Sequence, residues 1–376
     1  MKRVLLVGAY ERDNLGDLLF LLVTERYLQG ADVVAAAPFS ADMRAQLGRR
    51  IPAYGPLLRS ESFDAIWTVG GQVGSVDVAR AYKMSAKPRA WRRYERRSEA
   101  ARARILRRAA GGAPPPSPYI PLPAAYPRNA EAPAVLNSVG IAGVRGIEPG
   151  RREAVVAALR GAAAVTVRDQ GSSRLLSDLG VEHRLLPDAV HALGVIEPAE
   201  RDPRAETAIV QISSARLRML GHERVARALA RSPQLARRPV RLLPAGTATG
   251  HDAIRDYEAV ARAARGLDVE IVRDRRPLAL VGHIRRARVV IGTSLHVRIV
   301  AASYGVPRVS LAKPKPTRYA RLWDPGMPFG VELGELDAAV EAALERATRP
   351  EAAEHAQRLA LAAHENLEQL ARRVVS

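Results

Sequence analysis

The chain has no cysteine. That excludes disulfides, thiolate nucleophiles and zinc held by sulfur, and leaves imidazole, carboxylate and guanidinium groups to carry any chemistry. Long apolar runs are also missing. The longest near the start covers only residues 18–23, far short of the ~20 residues that span a bilayer. Residues 1–3 pass directly into a strand-like run at 4–7, without the charged, apolar and small-residue zones of a secretion leader, so a soluble cytoplasmic protein is expected. Lysine stands only at Lys2, Lys83, Lys87, Lys313 and Lys315. No G-x-G-x-x-G run offers a dinucleotide cradle. No cluster with metal-ligand spacing stands out among the eight histidines and the carboxylates, so neither a metal nor a bound cofactor is expected.

What is present is apolar bulk and arginine. With 376 residues, 47% of them hydrophobic, the chain is too long for one core and suited to two. The net charge is +19, which favours acidic partners: nucleic acid, anionic lipid or phosphorylated small molecules. Much of that charge is local. From Arg80 to Arg108 twelve basic residues face only Glu95 and Glu99.

Periodicity divides the chain. Strand, turn and helix alternate through residues 2–7, 17–28, 31–36 and 65–69, the pattern of a parallel, doubly wound sheet. The rhythm breaks at about 77–133, an insertion made of a basic helix and a Pro-rich stretch at 113–127, and resumes at 134–140. A polar linker at 197–206 precedes a second array. We therefore expect a first Rossmann-like domain over 1–196, a second over 207–334, and C-terminal helices over 335–376.

Three segments carry the candidate chemistry. Gly8-Ala9-Tyr10 and Asn14-Leu15-Gly16-Asp17 follow the first strand. Thr166-Val167-Arg168-Asp169, with Ser172 and Pro187-Asp188, lies mid-chain. Val290-Ile291-Gly292-Thr293-Ser294-Leu295-His296, followed by Gly305-Val306-Pro307, closes the set. In the last segment a strand turns into a helix at Ser294, a suitable N-cap. The backbone N–H groups and dipole of a helix start favour an anion there. His296 sits in that first turn, and Arg298 follows Ser294 by four residues on roughly the same face.

Together, in this order and spacing, the three segments resemble the polysaccharide pyruvyl transferase family. The resemblance implies two α/β Rossmann-like domains facing a central cleft, the glycosyltransferase-B arrangement. It implies transfer of a pyruvyl group from phosphoenolpyruvate, a co-substrate, to a sugar or lipid-linked saccharide acceptor as a ketal. The family's functional histidine falls on His296, suited to donate a proton near neutral pH. Many members carry Arg immediately before the Leu-His pair; here Ser294 stands, and Arg298 is expected to supply the guanidinium. Donor binding is expected from Ser294, Leu295, Arg298, Lys313, Lys315 and one of Arg216 and Arg218. Acceptor binding is expected from Gly8, Tyr10, Asn14, Gly71, Arg168 and Asp169, with Asp17 as the base for an attacking hydroxyl.

Each feature also has a plain structural reading. Asp17 and Asp169 suit helix caps, Asp188 a Pro-Asp turn, and surface arginines need no ligand. The basic insertion reads as an amphipathic helix in which Trp91, Tyr94, Ser98, Ala101 and Ile105 form one stripe, able to lie on an anionic membrane as a peripheral contact through residues 80–108. Nucleic acid is not expected, because no nucleic-acid module surrounds it. The rival functions are a glycosyltransferase of the same architecture using a nucleotide sugar, and a non-catalytic polyanion-binding protein.

Overall fold

The computed structural model describes residues 1–115 and 117–375; Pro116 of the Pro-rich stretch and Ser376 lie outside the described residues. Two compact α/β units emerge. The first comprises Met1–Asp13, Asp17–Ala189 and the chain from Glu365 onward; the second comprises Asn14–Gly16 and Val190–His364.

The strands of the first unit are β1 (Arg3–Val7), β2 (Asp32–Ala36), β3 (Ala41–Met43), β4 (Arg49–Ile51), β5 (Ala65–Val69), β6 (Ala134–Val139), β7 (Ala164–Val167) and β8 (Arg184–Leu185). Six of them form a parallel sheet in the order β2-β1-β5-β6-β7-β8, while β3 and β4 pair antiparallel to each other. All five residues of β5 are buried. A strand covered on both faces reads as a near-continuous apolar run, which is why Ala65-Ile66-Trp67-Thr68-Val69 shows no alternation, with Thr68 as its one polar residue. The sheet order reverses between β1 and β5, so the crevice where ligands of such sheets bind lies beyond the carboxyl ends of those two strands.

The second unit repeats the plan with β9 (Ala208–Gln211), β10 (Val240–Leu242), β11 (Val269–Ile271), β12 (Val289–Gly292), β13 (Arg308–Leu311) and β14 (Phe329–Val331). Their order is β11-β10-β9-β12-β13-β14, all parallel. The reversal here falls between β9 and β12. The helix Leu295–Ser303, which follows β12, is buried along its whole length.

Three boundaries differ from the sequence reading. The first helix runs Leu15–Tyr27 rather than from residue 17. Asn14 caps it: its Oδ1 accepts the Gly16 N–H at 3.1 Å, the bond an N-cap supplies to the second helical residue. The C-terminal helices are not a separate layer. Helix Leu336–Arg346 puts Leu336, Ala339, Val340 and Ala343 into the second unit's core, and the end of helix Pro350–Val375 belongs to the first unit. The basic insertion is three helices, not one: Val78–Ser85, Pro88–Glu95 and Glu99–Ala109. Proline breaks the first junction and fits the first turn of the next helix. Ser98 takes the N-cap position of the third, so the stripe from Trp91 to Ile105 is not one continuous face.

Candidate functional site

In the second unit, the loops after β9, β10, β12 and β13 meet over the reversal point. The central connection is the β12 turn. Thr293 donates its N–H to the Gln211 carbonyl at 2.9 Å and faces Gln211 Oε1 at 3.2 Å. Thr293 Oγ1 accepts the Ser213 N–H at 2.9 Å. Gln211 is held in turn by Asp252, whose Oδ2 accepts its Nε2 at 2.9 Å and the Ala245 N–H at 2.8 Å. Burial raises the Asp252 carboxyl above its usual value, and the Gln211 and Ala245 donors oppose that rise. A buried amide bonded at both its oxygen and its nitrogen fixes the turn, and the turn fixes where the next helix begins.

That helix begins as the sequence implied. Ser294 is the N-cap, its Oγ accepting the Val297 N–H at 3.5 Å. His296 is 8% exposed. Its ring lies on the α-carbon of Gly16, where a Cβ would meet Nδ1 at 1.8 Å. Leu15 donates its N–H to the Ala245 carbonyl at 2.7 Å, which ties Asn14–Gly16 to this unit. The helix start is therefore more enclosed than the open anion pocket that the sequence suggests, with half-buried Ser294 as its more accessible part.

Lys313 follows β13, and its Nζ lies 3.5 Å from Ser213 Oγ across the end of β12. Burial holds this amine below the usual lysine value; Asp252 opposes that effect and Arg216 adds to it. The two candidate arginines differ in their surroundings. Arg216, four-fifths buried, stands with Lys313 and reaches Glu332 at 3.3 Å. Arg218 is half exposed and pairs with Asp256 at 2.6 Å. Lys315 lies in the first turn of helix Pro314–Trp323.

Arg298 is a correction. Its side chain is 2% exposed and lies at 2.8 Å from Asp324. It also donates to Ser310 Oγ and to the carbonyls of Asp324, Met327 and Pro328 at 2.9–3.1 Å. Arg308 grips the same carboxylate at 2.5 and 2.7 Å. With Nη1 and Nη2 bonded to the core and the whole side chain buried, Arg298 cannot replace the guanidinium that Ser294 lacks.

In the first unit, several expected acceptor residues turn out to be architectural. Tyr10 is fully buried, its ring against Gly8, where a Cβ would meet the ring at 2.4 Å. Arg168 is buried with Asp188 as its ion-pair partner and stacks over Phe20 at 5.1 Å. Asp169 caps helix Gln170–Asp178, accepting the Ser172 N–H and Oγ–H, both at 2.8 Å. Gly70 and Gly71 turn the chain with φ of 64° and 77°, and Gly70 lies on the Phe20 ring where a side chain would clash.

The carboxylates after β1 also rearrange the expected roles. Asp17, expected as a base, is held by Arg12 at 2.8 Å, with both side chains largely buried. A second carboxyl, Glu11, lies near Asp17 and is not singled out by the sequence. Glu11 is 4% exposed. Burial raises its carboxyl to about 7, against the opposing pull of Arg12 and the Tyr119 hydroxyl, which donates to Oε1 at 2.6 Å. Among the described residues its buried Oε2 has no hydrogen-bond partner. No motif marks Glu11; its place beside the Asn14–Asp17 segment is the only signal.

Among the described residues no group of three or more His, Asp or Glu gathers as metal ligands do, and no helix is long and apolar enough to cross a membrane.

Several solved structures with this fold are described with UDP or a UDP-sugar. The UDP-GlcNAc 2-epimerase of Neisseria meningitidis, bound to UDP-GlcNAc, is 11% identical with a TM-score of 0.55, over 99% of this chain and 100% of that one. MnaA of S. aureus with UDP is 11% identical at 0.56, over 100% and 97%. Anabaena HepE in complex with UDP-glucose is 14% identical at 0.52, over 100% and 99%. At such identities the likeness establishes the fold alone, which is of the glycosyltransferase-B kind. No curated protein matches the chain by sequence. The family model for polysaccharide pyruvyl transferase matches residues 14–312, a span that opens at the Asn14 cap, contains His296 and closes one residue before Lys313. This chain belongs to the polysaccharide pyruvyl transferase family.

Proposed function

We propose that this chain forms a pyruvate ketal on a diol of a glycan, glycolipid or lipid-linked precursor sugar, with phosphoenolpyruvate as donor. The observation that carries the reading is His296, set in the first turn of a buried helix beside the loop ends that hold Lys313 and Arg216. The donor has a phosphate, a carboxylate and an enol carbon that must be protonated. A proton from His296 to that methylene carbon leaves C2 as an electrophile. A sugar hydroxyl then bonds to C2 and loses its proton, the C2–O bond to phosphate breaks, and a second hydroxyl closes the ketal with loss of its own proton. Lys313 and Arg216, rather than Arg298, would balance the donor's charge, since the ammonium and the guanidinium fork suit phosphate and carboxylate.

The nucleotide-sugar reading has one observation in its favour: the solved neighbours are described with UDP or UDP-sugars. One experiment separates the two. The protein is given phosphoenolpyruvate, or a panel of UDP-sugars, together with sugar acceptors. Phosphate release with an acid-labile ketal, lost in His296→Ala, supports pyruvyl transfer. UDP release with phosphoenolpyruvate inert would replace that reading with glycosyl transfer.

A further inference from the structure

The insertion between β5 and β6 is anchored by its aromatic residues. Phe39, Tyr82, Tyr94 and Trp91 form a chain of ring contacts at 5.6, 5.4 and 5.0 Å. Lys83 lies over Trp91 at 5.1 Å, and Arg102 over Tyr94 at 5.7 Å. Tyr82, Met84 and Leu106 pack against the first unit's core. The apolar side of the three helices is therefore spent inward, and the membrane-inserting stripe expected from the sequence does not exist as a free face.

What remains outside is arginine. Arg89, Arg92, Arg93, Arg96 and Arg97 recur at helical spacing and alone line an open concavity of about 410 Å³. All five are exposed. Among the described residues none of the five side chains has an ion-pair or hydrogen-bond partner. Arg104, Arg107 and Arg108 extend the charge along the next helix. Like charges held together without counter-charge repel one another, and an external polyanion relieves that repulsion. The strip is broader than one phosphate. It also lacks a free aromatic platform on which bases could stack, because Trp91 and Tyr94 stack on each other.

We propose that the outer face of these three helices docks the protein reversibly on anionic phospholipid, by charge alone and without inserting apolar side chains. This docking does not depend on the reaction proposed above. Its test is sedimentation of the whole protein with phosphatidylcholine vesicles and with an equal mixture of phosphatidylcholine and phosphatidylglycerol. Binding is expected only to the mixture, and should weaken steeply with added salt. Each arginine near such a surface strengthens partitioning by about fivefold. Replacing all five by Gln should therefore lower binding at low salt by on the order of a hundredfold or more, with unchanged circular dichroism because no internal contact is lost. Turnover on a water-soluble acceptor should be unaffected. Equal binding to neutral vesicles, or equal binding by the variant, would overturn the proposal. So would displacement by inorganic phosphate at matched ionic strength, or arginine-dependent binding of a mixed-sequence oligonucleotide without vesicle binding.

Discussion

The imidazole of His296 rests directly on the α-carbon of Gly16: a Cβ at residue 16 would lie 1.8 Å from Nδ1. Residues 280 positions apart in the chain thus share one van der Waals boundary. It depends on glycine in the first turn of a helix, where alanine would otherwise be favoured.

Gly16→Ala should displace the imidazole while leaving the fold in place. If His296 donates the proton, kcat falls by about a hundredfold to ten-thousandfold, the range that general acid catalysis contributes, and the melting temperature stays within a few degrees. Gly146→Ala is the control, because a Cβ there meets nothing within 4 Å. Wild-type turnover in Gly16→Ala would remove the imidazole's position from the mechanism.

Arg298 should behave as a structural residue. Arg298→Met leaves Asp324 with Arg308 alone and strips donors from three carbonyls. Breaking a buried ion network by removing one partner costs about 3–5 kcal/mol. Chemical denaturation should show a loss of that size, and folded Arg298→Met should keep the wild-type KM for phosphoenolpyruvate. Lys313→Met and Arg216→Gln should do the reverse, raising that KM with little change in the unfolding midpoint. A raised KM with unchanged stability in Arg298→Met would return Arg298 to the donor site.

The two parallel sheets and the helix at Leu295 were legible because apolar runs and cap residues act locally. Arg298 was not, because spacing along a helix gives a face but not what covers it; its fate was decided by Asp324, on another element. Glu11 was hidden for a similar reason. Its shift comes from burial, opposed by Arg12 and by the hydroxyl of Tyr119, 108 residues away, and a sequence window carries no measure of burial or of so distant a partner. The basic insertion misled as one helix because Pro88 and Ser98 interrupt a composition that is otherwise uniform.

Gln211 should set donor affinity without touching the donor. Gln211→Met removes the acceptor facing Thr293 and the donor to Asp252. The turn before Ser294 then loses a side-chain anchor but keeps the backbone bond from Thr293 to residue 211. We expect the KM for phosphoenolpyruvate to rise by about fivefold to tenfold, the size of one or so net hydrogen bonds, with kcat less affected. Steady-state kinetics decides this; an unchanged KM would show that the turn holds itself.

Glu11 should make stability fall as pH rises. Its folded value, about 7, lies above the ordinary carboxyl value of ~4.3, so the folded chain holds the proton more tightly than the unfolded one. The resulting stability is complete below about pH 4 and is lost as the pH climbs through 7. Glu11→Gln keeps an oxygen for the Tyr119 hydroxyl but cannot ionise. At pH 8.5 the variant should be more stable than wild type by on the order of 3–4 kcal/mol, and near pH 4 the two should unfold together. Denaturant titrations at the two pH values measure this. A gap that stays constant across them would mean that Glu11 is ionised throughout, with Arg12 rather than burial governing its charge.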